Sequence, residues 1–109
     1  MARGNGTAQA AAMEAMPSTQ MLALPSVMDL LAADPLRARL LEAIAARAPI
    51  VLMAGDVERL STPCIQVLLA GARWAKAAGV SLRIDGAPAD FRGAIEDLGL
   101  IGEFEQWLG

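Results

Sequence analysis

The order strand, helix, strand over residues 50–84 constrains the fold more than any other feature of the sequence. Ile50–Met53 is a continuous apolar run of strand length, typical of a central strand covered on both faces. A helix is predicted to follow over residues 63–78, ending at Gly79, and residues 80–84 then alternate between apolar and polar, as in a strand. Two strands joined through a helix indicate parallel pairing with a right-handed crossover.

The rest of the chain extends this pattern. Residues 19–24 and 26–30 are predicted to be two short strands that make a hairpin or a bend, and Asp34-Pro35 is predicted to start a helix that stops before Pro49. Residues 89–98 and 102–108 are predicted to form two further helices. The order is β-β-α-β-α-β-α-α, which indicates an α/β fold. We expect a central mixed, mostly parallel sheet of about four strands, covered by about four helices.

Length and charge exclude several classes of protein. The 109 residues suffice for one domain, which we place at residues 19–109 after a flexible leader at 1–18. Net charge is −3, and the last quarter of the chain is acidic, so we expect no nucleic-acid binding. No apolar run approaches the roughly 18 residues of a membrane span, so direct membrane insertion is not expected. Cys64 is the only cysteine, which fits a cytoplasmic location.

Catalysis is not expected, because the chain has no histidine. Its absence removes the serine–histidine and cysteine–histidine nucleophile pairs and the commonest metal ligand. Among the carboxylates, Asp56 and Glu58 come closest to a cluster that could hold a metal ion. A solvated turn explains them more simply. No glycine-rich phosphate loop is present. We therefore expect no enzymatic activity, no metal and no cofactor.

The hydroxyl pair Ser61-Thr62 precedes the predicted long helix. Thr62 is predicted to be its N-cap, with Pro63 at the first helical position, where a missing N–H costs nothing. Helix capping alone is enough to explain this pair. A functional hydroxyl at the positive end of the helix dipole is the alternative.

The predicted long helix carries two apolar stripes. The first should face the sheet and contains Ile65, Leu68, Leu69, Ala72 and Ala75. A helix on the outside of a sheet needs only one such stripe, yet a second apolar stripe is formed by Cys64, Val67, Gly71, Trp74 and Ala78. Either Trp74 covers the edge of the core or the C-terminal helix, or this stripe is a partner surface anchored by the tryptophan.

Taken together, these segments resemble a STAS domain over residues 19–109. The resemblance rests on the buried strand, the short turn, the alanine-rich helix opened by Ser61-Thr62-Pro63-Cys64-Ile65-Gln66-Val67-Leu68-Leu69, and Gly99 before the last helix. The STAS family includes anti-sigma factor antagonists, subunits of phospholipid-trafficking ABC transporters and the cytoplasmic tails of sulfate transporters. The resemblance implies a STAS-type fold.

The resemblance also implies a function. In the antagonists an aspartate precedes a phosphorylated serine or threonine, and a glycine lies two residues after the hydroxyl. Here Thr62 matches the phosphoacceptor, Ser61 stands at the aspartate position, and Cys64 stands at the glycine position. The resemblance thus implies a non-catalytic interaction module of a bacterial partner-switching system. Its partner would be a histidine-kinase-like ATPase acting as anti-sigma factor, and phosphorylation at Thr62 or Ser61 would control binding. The expected partner surface consists of Asp56, Glu58, Arg59, Ser61, Thr62, Pro63, Cys64, Val67 and Trp74.

Two other roles remain open. The chain would serve as a constitutive STAS subunit of a phospholipid-trafficking ABC transporter if it docks on an ABC ATPase through the same helix start without a kinase. A STAS protein of a chemotaxis cluster is the other alternative. In the transporter subunit the Thr62 hydroxyl is a contact rather than a switch.

Overall fold

The computed structural model describes residues 18–109, so most of the predicted leader lies outside the described residues. Within this range the chain forms five strands and four helices. In chain order these are β1 (Gln20–Ala23), β2 (Val27–Met28), α1 (Leu30–Ala45), β3 (Ile50–Met53), β4 (Arg59–Leu60), α2 (Thr62–Ala77), β5 (Leu82–Asp85), α3 (Ala89–Asp97) and α4 (Ile101–Phe104). The predicted α/β fold with a mostly parallel sheet and about four helices is confirmed, with the strands divided between a sheet of three and a sheet of two.

The main sheet has three parallel strands in the order β1-β3-β5, with the predicted apolar strand at its centre. Leu52 of β3 lies opposite Leu22 of β1 and Ile84 of β5. The far side of β5 is closed by the C-terminus, since Leu108 forms a single parallel bridge with Ile84. Ile50, Val51 and Leu52 are buried, and Met53 is half-exposed. β3 therefore lies in the middle of the core, as its composition predicts.

The second predicted strand does not join this sheet. β2 pairs in parallel with β4, with Val27 opposite Arg59 and Met28 opposite Leu60. Of the two predicted arrangements, the hairpin is wrong and the bend is right. The carbonyl oxygen of Ser26 accepts hydrogen bonds from the N–H groups of both Glu58 and Arg59, so the chain after β1 pairs with residues 58–60 instead of folding back on β1. The solvated turn predicted at Asp56 and Glu58 therefore leads directly into a strand, which starts at Arg59. This two-stranded ribbon is what leads into α2.

Helix α1 begins five residues earlier than predicted. Its N-cap is Asp29, whose carboxylate accepts the N–H of Ala32 at 3.2 Å, so the predicted start at Asp34-Pro35 is wrong. Pro35 lies inside the helix and leaves the carbonyl of Leu31 without its usual i+4 donor. That loss is small here, because Leu31 is 84% exposed at the outer side of the first turn. An earlier start also brings Ala33 into the core.

Helices α1 and α2 lie side by side and run in the same direction. At their first turns the Cys64 thiol donates to the carbonyl of Asp29 at 3.2 Å, and at their last turns the Arg47 guanidinium donates to the carbonyl of Ala78 at 3.1 Å. Between these points the helices approach closely, since a Cβ added to Gly71 would lie 2.7 Å from Leu40 Cδ1. Both helices bury their inner faces in the same core, together with β3.

The predicted end of α2 agrees with the structure. Gly79 follows the C-cap Ala78 and adopts φ +73°, and the N–H of Val80 bonds to the carbonyl of Ala75. Within residues 18–109 no helix has both the length and the apolar character needed to cross a membrane.

Candidate functional site

The start of α2 is fixed by backbone hydrogen bonds. The N–H of Ser61 donates to the carbonyl of Met28 at 2.9 Å, which ties the end of β4 to β2. The carbonyl of Ser61 then accepts the first helical bond, from Ile65 at 3.0 Å. Ser61 is therefore the N-cap, while Thr62 and Pro63 occupy the first two helical positions. The predicted cap at Thr62 is wrong by one residue, because the chain is still extended at Ser61, with φ −87° and ψ 159°.

Neither hydroxyl caps the helix. The Oγ of Ser61 is buried and has no hydrogen-bond partner among the described residues. Thr62 is exposed, and its hydroxyl makes no hydrogen bond to any residue in the 18–109 range. Capping does not explain this pair, so within residues 18–109 the hydroxyl of Thr62 has no partner at the positive end of a sixteen-residue helix.

Exposed apolar side chains lie at the same end of the molecule. Val27, which pairs with Arg59, is 45% exposed, while Leu30 and Leu31 in the first turn of α1 are 70% and 84% exposed. We call these three residues the apolar patch. Contiguous exposed apolar side chains commonly mark an interaction surface. The patch was not predicted, because Leu30 was expected to lie in a strand. The sequence signal that could have revealed it is Asp29, a good helix-capping residue directly before the two leucines.

The predicted acidic residues lie in the loop that leads into β4. Asp56 and Glu58 are exposed in the β3–β4 loop, at the carboxyl end of the main sheet. Together with Gly55 and Val57 of the same loop and Leu24, Pro25 and Ser26 of the β1–β2 loop, they line a polar cavity of about 620 Å³. The described residues contain no cluster of three potential metal ligands. Arg59 is exposed three positions before Thr62, so the basic member of the predicted set is close to the hydroxyl in sequence.

The second predicted stripe divides between core and surface. Cys64 has 0% exposure, so its side chain holds α2 against α1 and offers no surface to a partner. Val67 is half-buried and Trp74 is 50% exposed. Both line an open cavity of about 520 Å³ between the two helices, which we call the α1/α2 groove. Its lining consists of Ala33, Arg37, Leu40 and Leu41 from α1 and Pro63, Gln66, Val67, Ala70, Gly71 and Trp74 from α2.

The other side of α2 is occupied by the C-terminal segment. The Arg73 guanidinium bonds to both oxygens of Glu103 at 2.5 and 2.7 Å, and Lys76 donates to Gln106 at 3.1 Å. The hydrogen bond from Arg73 lowers the pKa of the Glu103 carboxyl. Trp74 thus faces the groove while its neighbours hold the C-terminal helix, which removes the alternative that Trp74 covers that helix.

Comparison with known proteins agrees with this architecture. The sequence model of one protein family, described as "Mlab, STAS domain", matches residues 11–105. No curated protein matches the chain. Among solved structures, the crystal structure of a sulfate transporter family protein from Wolinella succinogenes is similar, with a TM-score of 0.69 at 17% identity, over 83% of this chain and 75% of that chain. At this identity the structural likeness shows the fold alone.

Proposed function

Since this chain belongs to the STAS domain family, a family of protein-interaction modules, we propose that a partner protein docks at the start of α2 and that phosphorylation of Thr62 controls the docking. The proposed setting is a bacterial partner-switching system of the anti-sigma factor antagonist type, in the cytoplasm. The chain itself acts there without catalysis.

One observation carries this proposal: Thr62 is an exposed hydroxyl that the fold does not use. It makes no hydrogen bond with the described residues, it opens a long helix, and the apolar patch lies at the same end of the molecule. A partner that buries Leu30 and Leu31 would gain about 1.5–3 kcal/mol for each leucine fully removed from water. The hydroxyl therefore lies at the same end of the molecule as the two most exposed large apolar side chains of the described residues.

Phosphorylation changes this surface without requiring a change in the fold. A kinase partner would transfer the γ-phosphoryl group of ATP to Thr62 Oγ1, with the hydroxyl proton passing to the base of the kinase and ADP leaving. The product carries about −1.5 to −2 charge at the N-terminus of α2, where the helix dipole favours an anion. Arg59, three positions before Thr62, is the nearest cation in sequence. A partner that covers the apolar patch would have to desolvate this charge, so binding should be lost while the domain stays folded.

The test compares Thr62→Glu with Ser81→Glu. Ser81 is an exposed residue between α2 and β5, and the contact described for it is made by its backbone carbonyl, so it is a matched control for added charge. Each protein is used as bait in the source cell, the partner is identified, and its affinity is measured with purified proteins. We expect equal melting temperatures, binding at least tenfold weaker for Thr62→Glu, unchanged binding for Ser81→Glu, and a mass increase of roughly 80 Da at Thr62 in wild-type protein from cells. Equal affinity of Thr62→Glu and wild type would refute the switch.

The second candidate is a constitutive subunit of a phospholipid-trafficking ABC transporter. It is favoured by the description of the matching family, "Mlab, STAS domain", and by the transporter family of the similar crystal structure. The same experiment separates the two functions. Capture of an ABC ATPase with unmodified Thr62 would make the helix start a permanent contact and would exclude the kinase.

A further inference from the structure

We propose that the α1/α2 groove binds an amphipathic helix of the partner protein and that a carboxylate on this helix pairs with Arg37. The inference rests on the proposed function, since the groove starts at Pro63, directly after Thr62, and the same partner would occupy both. Beyond the proposed function, the inference specifies the chemistry of the bound segment and the position of a second contact region.

The shape of the groove fits a short helix. Because α1 and α2 run parallel, their lining residues form two continuous walls, and the wall on α2 extends from Pro63 to Trp74. At 1.5 Å per residue this wall is about 16 Å long, which matches three turns of a bound helix. Close approach of the helices at Gly71 and Leu40 closes the bottom of the groove. An apolar stripe at three- and four-residue spacing would lie along it.

The rim of the groove distinguishes a helix from an alkyl chain. Gln66, Ala70 and Trp74 line the groove and are themselves exposed, so any occupant keeps one side in water. An alkyl chain is apolar all round and would leave about half of its surface in water at a cost of roughly 25 cal/mol per Å². An amphipathic helix presents a polar face to that side. Trp74 is 50% exposed at the far end, and tryptophan is one of the residue types enriched among binding anchors.

The charge of the groove selects an acidic occupant. Arg37 is the only charged residue in the lining, and it forms no ion pair with any residue between 18 and 109. The chain as a whole carries −3, so a cationic groove is a local exception. Between apolar walls an ion pair is screened less than in open water, so a carboxylate on the bound helix would be favoured over a lysine. An acidic occupant also explains how the switch would work, because a phosphate on Thr62 would add negative charge at the start of the groove and repel it.

The first experiment identifies what lies in the groove. The photo-crosslinking residue benzoylphenylalanine replaces Gln66 in the full chain expressed in its own cell, and Arg39, on the opposite side of α1, is the control position. We expect crosslinks at position 66 to a partner segment with apolar residues at three- and four-residue spacing and an aspartate or glutamate among them. Crosslinks to a lipid, to a second copy of this chain, to its own residues 1–17 or to a segment without this pattern would overturn the inference. So would a yield no higher than at position 39.

The second experiment tests the ion pair. A synthetic peptide of the crosslinked segment is titrated into wild type, Arg37→Glu and the matched control Arg39→Glu, with Trp74 fluorescence as the readout; Trp107 is buried and supplies a constant background. We expect a blue shift on binding and at least tenfold weaker binding for Arg37→Glu alone. A peptide with lysine in place of its acid should restore affinity for Arg37→Glu. Equal affinity of the two arginine variants would overturn the role of Arg37.

The two proposals fail separately. If Thr62→Glu loses the partner while Arg37→Glu keeps it, the ion pair with Arg37 is wrong and the proposed function stands. If Arg37→Glu loses the partner and Thr62→Glu keeps it, the groove is the binding site and phosphorylation is not the switch.

Discussion

The close contact of Gly71 with Leu40 sets the depth of the α1/α2 groove. Replacing the glycine by alanine tests how tight this contact is. An added Cβ at position 71 would lie 2.7 Å from Leu40 Cδ1 and 3.5 Å from Leu40 Cβ and Cγ. Leu40 is only 2% exposed, so its side chain cannot move out into water to relieve the contact. We therefore expect Gly71→Ala to push the two helices apart or to force Leu40 from its rotamer.

The expected magnitude is a balance of two effects. Overpacking a core position costs about 1–3 kcal/mol, and alanine in place of glycine inside a helix contributes about 1 kcal/mol in the opposite direction. The free energy of unfolding should thus fall by roughly 0–2 kcal/mol for Gly71→Ala. In a Leu40→Val background the Cδ1 atom is gone, and the same change should stabilise by about 1 kcal/mol. The coupling energy between the two positions is then roughly 1–3 kcal/mol.

Urea denaturation of wild type, Gly71→Ala, Leu40→Val and the double variant gives the coupling energy. Gly93→Ala is the matched control. Gly93 lies inside α3, and an added Cβ there meets no atom within 4 Å, so this variant should gain about 0.5–1 kcal/mol. If Gly71→Ala stabilises the protein as much as Gly93→Ala in both backgrounds, the two helices are not in tight contact and the floor of the groove is not as described.

Two further predictions concern stability. Asp29→Ala should lower the free energy of unfolding by about 1 kcal/mol through loss of the α1 cap. Ser61→Ala should leave the free energy of unfolding unchanged or raise it, because the buried Oγ of Ser61 has no partner among the described residues. Equal losses for the two variants in urea denaturation would contradict this. The Arg73 hydrogen bond lowers the folded-state pKa of Glu103, so its contribution is present above the unfolded pKa of about 4.3 and is lost as the pH falls through the lower folded value. Melting temperatures followed below about pH 4.5 should therefore drop more steeply for wild type than for Glu103→Gln, and parallel curves would show that the ion pair does not matter.

The elements predicted well from the sequence are those with strong local signals. The apolar run at Ile50–Met53 identifies the central strand, and Gly79 marks the end of α2 because only a residue tolerant of positive φ fits the turn after the helix. Parallel pairing follows from the alternation of strands and helices.

The elements predicted poorly depend on tertiary contacts. β2 and β4 have two residues each, too few to show any periodicity, and each forms a ladder only with the other. Both Asp29 and Asp34 are suitable N-caps for α1. The helix starts after Asp29, and the additional turn buries Ala33 against the core. At the site, the helical position of Cys64 lies between the core stripe and the groove stripe. Its complete burial is decided by α1, which no pattern within α2 reveals.

The start of α2 is held by the backbone of Ser61 and Met28 rather than by the side chain of Thr62. Folding therefore places little selection on position 62, and gene duplicates of such a domain can change this residue, and with it their partner, without first acquiring compensating mutations. Substitution tolerance at position 62 should be broad when a library is selected for a folded domain and narrow when it is selected for binding. The difference between the two would measure how strongly recognition alone restricts this residue over evolutionary time.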